Sequence, residues 1–169
     1  GPSILFLILE RHALFADMNT PQAILNALFC AVTPRTAGFN TTDIASLSQS
    51  SQLLTIILMF IGGCPGSTAG GAKVTTITVL ILYLRSMLTR TDGVNIFKRR
   101  LEDEAVSKAA AVFTTHMLLA VAATFLISMQ QDLDLTVIVF DVVSAVSTVG
   151  MSTGITPHLV PGAKVILIL

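Results

Sequence analysis

Two six-residue strings, TAGFNT at 36–41 and TVGMST at 148–153, place the same chemistry at two points of the chain. In each, Thr is followed by a small or branched residue, Gly, a bulky apolar residue, a small polar residue and Thr. A Gly so flanked points to a backbone conformation closed to other residues. Successive carbonyl oxygens can then face a common axis and replace the hydration shell of a small cation. The chemistry expected is ion coordination by main chain, not bond-making. No HExxH, no Ser, His and Asp set and no metal-ligand spacing marks an enzyme. The plainer reading is a pair of helix C-caps, because Gly after a helix commonly ends it in the left-handed region. Recurrence with Thr on both sides favours the ion path. The two roles are compatible, since a helix C-terminus carries partial negative charge.

The elements around the strings are those of a membrane protein. Hydrophobic residues make up 53% of the 169 and charged residues 12%, with mean hydropathy +0.80, beyond what a soluble surface of this size tolerates. Six of the ten basic residues (Arg85, Arg90, Lys98, Arg99, Arg100, Lys108) fall between 85 and 108, which makes that stretch cytoplasmic by the positive-inside rule. A nucleic-acid reading of KRR at 98–100 is disfavoured by Glu102, Asp103 and Glu104 directly after it and by the lack of an aromatic stacking platform. Cys30 and Cys64 have no CxxC spacing and no nearby His, and are expected to be buried free thiols. The apolar runs at both ends give the expectation that this is a segment of a longer chain.

Along the chain, residues 3–9 are the end of a spanning helix, and Glu10, Arg11 and His12 mark its exit from hydrocarbon. Asn19, Thr20 and Pro21 start a helix, and the apolar run 22–32 is about half a membrane long, hence re-entrant. The first string follows, then a polar return over 43–51. A second apolar stretch, 52–88, is interrupted by GGCPGSTAGG at 62–71. Five glycines and a Pro break a helix, and irregular backbone at membrane depth survives only against protein or a water-filled cavity. The loop therefore lines a path. Its soluble rival, a phosphate-binding loop, fails because Gly66 and Gly71 are not followed by the required Lys and no strand precedes them. Residues 89–107 connect on the cytoplasmic side, 108–129 span the membrane, 136–146 form a second half-length helix, and the second string follows. Both strings fall on the face opposite the basic connection.

Single charges carry less information. Asp141, in the second half-length helix, is expected to cap or to face a solvated vestibule, with tuning of the ion path as the sharper alternative. Asp132 and Asp134 are expected as solvated charges at an outer mouth, Arg35 as a clamp on loop carbonyls, and His116 as a hydrogen-bonder in helix packing.

TPRTAGFNT at 33–41, SAVSTVGMSTGIT at 144–156 and above all GGCPGSTAGGAK at 62–73 resemble the Trk/Ktr/HKT superfamily of potassium transporters, in particular the bacterial TrkH and KtrB membrane subunits. The resemblance covers nearly the whole chain, with three motifs in order. It implies an all-α membrane fold of membrane–pore–membrane repeats with re-entrant pore helices and a broken inner helix. Residues 1–88 would be the third repeat (pore helix 22–32, filter 36–41, broken inner helix 52–88 with loop 62–71), 89–107 a cytoplasmic linker, and 108–169 the fourth repeat with a truncated inner helix. Gly38 and Gly150 would be filter glycines, with Thr36, Ala37, Thr148 and Val149 presenting carbonyls to K⁺. Gly62, Gly63, Gly66, Ser67, Thr68, Gly70 and Gly71 would form the gating loop, with Lys73 following as a cation that hinders passage when the loop is closed. The first two repeats, and the rest of the fourth inner helix with its basic residue, are absent from this sequence.

The resemblance further implies K⁺ as transported ion without an organic cofactor, a bacterial inner-membrane location with several spans, pairing of membrane subunits as dimers, and a cytoplasmic nucleotide-binding ring of TrkA or KtrA type. The competing reading is a secondary transporter whose discontinuous helix at 62–71 binds substrate at the bilayer midplane. A structural membrane fragment that conducts nothing alone is a third class.

Overall fold

A computed structural model describes residues 1–168 except 12–14, 16–17, 36–37, 40–43, 64–71, 90–94, 97–98 and 101–102. Among the described residues the fold is all-α apart from an antiparallel pairing of two-residue strands, β1 (Asn95–Ile96) with β2 (Arg99–Arg100), in the basic connection. The described residues form helices in the order α1 (Pro2–Glu10), α2 (Thr20–Val32), α3 (Gln49–Phe60), α4 (Val74–Leu88), α5 (Asp103–Ser128), α6 (Leu135–Val146) and α7 (Pro161–Ile168). Among the described residues one helix is long and apolar enough to cross a membrane, over Glu104–Ser128, with mean hydropathy 2.0 and only 11% of its apolar window buried. Leu118, Val121 and Phe125 stand on its surface more than half exposed. A continuous apolar face of that kind is at home in lipid and a liability in water.

Short helices arise where local signals permit them. α2 has 13 residues, roughly 20 Å, with Pro21 in its first turn, where the missing N–H costs nothing. α6 has 12, roughly 18 Å, and is capped by Asp134, whose carboxylate accepts from the Thr136 N–H at 3.2 Å. Neither can cross about 30 Å of hydrocarbon. α3 begins at Gln49, earlier than the apolar pattern at 52 suggests, because Ser48 caps it and its hydroxyl accepts from the Ser51 N–H at 3.3 Å. α5 likewise starts ahead of Lys108, extended by the exposed Glu104–Lys108 pair at 2.7 Å, an i,i+4 contact worth a few tenths of a kcal/mol.

Among the described residues, packing divides into three clusters. Phe6, Phe15, Ala27, Ala31 and Leu58 join α1, α2 and α3. Ala120, Ile127, Ile138, Val142, Leu159 and Ala163 join α5, α6 and α7. Between them, Ile44, Leu47, Met59, Phe140, Val143, Val149 and Met151 bind α3 to α6 and to the second string. In an apolar solvent such contacts hold by close van der Waals fit, with little help from water exclusion. The two parts of the interrupted stretch pack differently: α3 lies on α6, α1 and α2, whereas α4 lies on α5.

Candidate functional site

Both strings follow a half-length helix, and the second is the more completely described. α6 ends in a Schellman motif: the Thr148 N–H donates to the Ala145 carbonyl at 3.0 Å and the Val149 N–H to the Ser144 carbonyl at 2.9 Å. The left-handed residue that closes the helix is Thr148 itself, at φ +54°. For a β-branched residue that is a genuine outlier. The C-cap duty is thus discharged by a threonine, and Gly150, at φ +82°, is left-handed for another reason. Between them Val149 has no positive φ. Val149 and Met151 bury their side chains in the central cluster while Thr148 and Gly150 are exposed.

The first string meets the second. Thr33 caps α2, with its N–H on the Phe29 carbonyl at 2.9 Å, and the Gly38 N–H reaches the Thr33 carbonyl at 3.5 Å. Gly38 has φ +67°. A Cβ placed on it would lie 2.5 Å from the Val149 carbonyl oxygen, an impossible contact, whereas a Cβ on Gly150 would meet nothing within 4 Å. Gly38 is therefore required twice over, by its dihedral and by the close approach of the other string. Thr36 and Ala37 lie outside the described residues, as do Asn40 and Thr41.

Beyond the glycines the repeat continues. A 3-10 turn at Ile44–Ser46 stands to Gly38 as the 3-10 turn at Thr156–His158 stands to Gly150, and Gln49 at the start of α3 corresponds in the same way to Pro161 at the start of α7. The internal repeat is a property of the folded chain as well as of the strings.

Polar anchors surround this region. Asp141 is 5% exposed, and both its carboxylate oxygens are filled. Oδ1 accepts from the Thr153 N–H at 3.0 Å and the Thr153 hydroxyl at 3.2 Å; Oδ2 accepts from the Ser152 hydroxyl at 3.0 Å and the Thr156 hydroxyl at 3.1 Å. The expectation of a cap or a solvated vestibule charge is corrected: Asp141 is a buried acceptor tied to the backbone just past the second string. Its donors lie 11 to 15 residues downstream, too far for any local capping pattern to reveal. Glu10 is corrected similarly. It is fully buried and does not mark an exit to water; its Oε1 accepts from the Ser48 hydroxyl at 2.7 Å and the Ser48 N–H at 3.1 Å. That ties α1 to the start of α3, and no sequence signal pairs the two residues.

The interrupted helix closes on itself. The Val74 N–H donates to the Gly63 carbonyl at 3.3 Å, joining the two ends of the loop. Gly62 and Gly63 are buried and Lys73, half-buried, is the N-cap of α4. Gly66, Ser67, Thr68, Gly70, Gly71 and Cys64 lie outside the described residues.

Other expectations resolve simply. His116 bonds its own helix, Nδ1 to the Val112 carbonyl at 2.8 Å, so it does not bridge helices. Asp132 and Asp134 are exposed, Arg35 is exposed with its N–H on the Val32 carbonyl, and Cys30 is a half-buried thiol; His12 lies outside the described residues. A cleft of about 740 Å³ between α3, α5 and α6 is walled by residues such as Ile57, Phe60, Phe113 and Val139. Its lining offers little to a bare cation.

Comparison with known proteins agrees with this architecture. The TrkH family, described as a cation transport protein, matches residues 2–169. The potassium/sodium uptake protein NtpJ of Enterococcus hirae is 37% identical over 99% of this chain and 38% of its own length. The Ktr system potassium uptake protein B of Vibrio alginolyticus is 33% identical over 98% of this chain and 37% of its own length. Among solved structures, the potassium transporter TrkH from Vibrio parahaemolyticus superposes with TM-score 0.76 at 24% identity, covering 99% of this chain and 38% of that one. The chain thus spans between a third and two fifths of the length of these relatives. With its half-length helices, paired left-handed glycines and interrupted inner helix, the chain belongs to the TrkH family of cation transport proteins.

Proposed function

We propose that this chain supplies two of the four quadrants of a potassium-conducting pore in a bacterial inner membrane. Residues 1–88 form one membrane–pore–membrane repeat, 89–107 the cytoplasmic connection and 108–169 the next repeat. A dehydrated K⁺ is held by backbone carbonyls at Thr36, Ala37 and Gly38 and at Thr148, Val149 and Gly150, and the remaining repeats of the subunit complete the ring.

The observation that carries this reading is the meeting of the two strings, with a Cβ on Gly38 excluded by the Val149 carbonyl and positive φ at Gly38 and Gly150. Dihedrals of opposite hand at neighbouring residues turn successive peptide planes the same way, so N–H groups collect on one side and carbonyls on the other. The sign of φ alternates across Thr148, Val149 and Gly150, which supports such an arrangement. α2 and α6 stop within membrane depth, so their partially negative ends lie next to the strings and favour a cation there. Buried Val149 and Met151 side chains fix the string from behind, leaving main chain to meet the ion. The relatives' names, potassium uptake and potassium/sodium uptake, support the choice of ion.

Gating falls to residues 62–71, with Gly62, Gly63, Gly66, Ser67, Thr68, Gly70 and Gly71 giving the loop a low barrier to rearrangement and Lys73 placing a cation at its base. The Val74 N–H on the Gly63 carbonyl ties the end of α3 to the start of α4, which supports a gate hung between fixed helix ends. A cytoplasmic nucleotide-binding ring would drive that motion, and a second membrane subunit would complete the assembly.

The test is Rb⁺ and K⁺ uptake into liposomes carrying the intact subunit, competed by Na⁺. Saturable alkali-cation flux is expected. A requirement for an organic solute would instead favour a transporter that binds substrate at the broken helix.

A further inference from the structure

Asp141 places a buried carboxylate beside the second string. Its four donors come from Ser152, Thr153 and Thr156, and the Ser152 hydroxyl in turn accepts from the Gly154 N–H at 3.1 Å. The residue sits in the most enclosed part of α6, between Phe140 and Val142, both fully buried. The segment 148–151 is therefore held at both ends by the same helix: upstream by the Schellman bonds of Thr148 and Val149, downstream by Asp141. Phe29 stands to Gly38 as Asp141 stands to Gly150, so the first string has no carboxylate at the matching place.

We infer that Asp141 is the positioning residue of the second string, setting the carbonyl spacing there and with it the discrimination between K⁺ and Na⁺. A buried carboxylate is costly unless its lone pairs are filled, and here four donors from three residues fill them at once. The clamp therefore resists the contraction a smaller ion would demand. Acting through backbone, it needs its acceptor geometry more than its charge. This inference rests on the pore reading above.

The experiment compares Asp141→Asn and Asp141→Ala in the intact subunit, reading Rb⁺ uptake and its inhibition by Na⁺ at equal amounts of folded protein. In the Asn variant one oxygen still accepts from the Thr153 N–H, while the amide donates to the Ser152 or Thr156 hydroxyl, which can turn to accept. It should keep the ion preference within about threefold, whereas Ala, losing every bond, should lose roughly tenfold or more. Equal loss in both variants would show that charge and not position matters, and would overturn the proposal. So would an Ala variant with unaltered preference. Should Asp141→Ala fail to fold, the pair Ser152→Ala with Thr156→Val removes both donors to Oδ2, and unchanged preference there overturns it as well. A wild-type subunit that moves no alkali cation would defeat the pore reading itself, a result distinct from all of these.

Discussion

Replacing Gly38 by Ala tests two constraints on that residue, its left-handed dihedral and the approach of Val149. Gly38 and Gly150 both have positive φ, and an L-residue held in the left-handed region costs roughly 1–2 kcal/mol. That is about a 5- to 30-fold drop in the population of the correct geometry. At Gly150 the added methyl meets nothing within 4 Å in this chain, so these two repeats add no second penalty there. At Gly38 the methyl would lie 2.5 Å from the Val149 carbonyl oxygen, and ordinary contact is restored only if that oxygen retreats by roughly an ångström. Val149 cannot yield freely: its side chain is packed with Phe140, Val143 and Met59 and its N–H is bonded to Ser144. Gly38→Ala should therefore lower Rb⁺ uptake per molecule by at least a further tenfold beyond that dihedral penalty, with Na⁺ competition altered in parallel. The assay is uptake into proteoliposomes of the intact subunit, normalised to monodisperse protein. If Gly38→Ala lost no more than the dihedral penalty, the close approach of the strings would be irrelevant to transport. If Gly38→Ala and Gly150→Ala both matched wild type, positive φ at these residues would have no part in it.

Three other outcomes are expected. Ala at Gly66, Gly70 and Gly71 should change flux per molecule more than expression, and failed folding with flux per molecule intact would count against a gate at 62–71. Glu10→Ala strips the Ser48 N–H and hydroxyl of a buried acceptor, a loss of about 1–3 kcal/mol, and should lower the melting temperature of the solubilised subunit by several degrees; an unaltered melting curve would show that the α1–α3 tie contributes nothing. Thr148→Gly relieves roughly 1–2 kcal/mol of left-handed strain and returns part of it as chain entropy. Stability should hold or rise slightly while K⁺ preference weakens, and a variant both less stable and equally selective would refute a functional origin for the strain.

What the sequence determined by itself is what depends on near neighbours and solvent. Apolar runs too short to span, Pro21 at a helix start, the glycine-rich interruption at 62–71 and the recurring Thr-x-Gly strings were enough to read an all-α membrane fold of the TrkH family. Each is a local propensity or a hydropathy length, legible without knowing what packs where. Helix starts were read late at α3 and α5 because a cap at Ser48 and an exposed Glu104–Lys108 pair extend them into polar sequence. Only the tertiary structure decided the pairings across distance. Glu10 binds Ser48 across 38 residues, Asp141 gathers donors from beyond the second string, and Val149 closes on Gly38 from the other repeat. A carboxylate looks the same in a sequence whether it faces water or four hydroxyl and amide donors. Its partners are fixed by the packing of α6 against α3 and α7, a non-local arrangement in which the membrane's low polarity leaves a buried charge stable only where every lone pair is met.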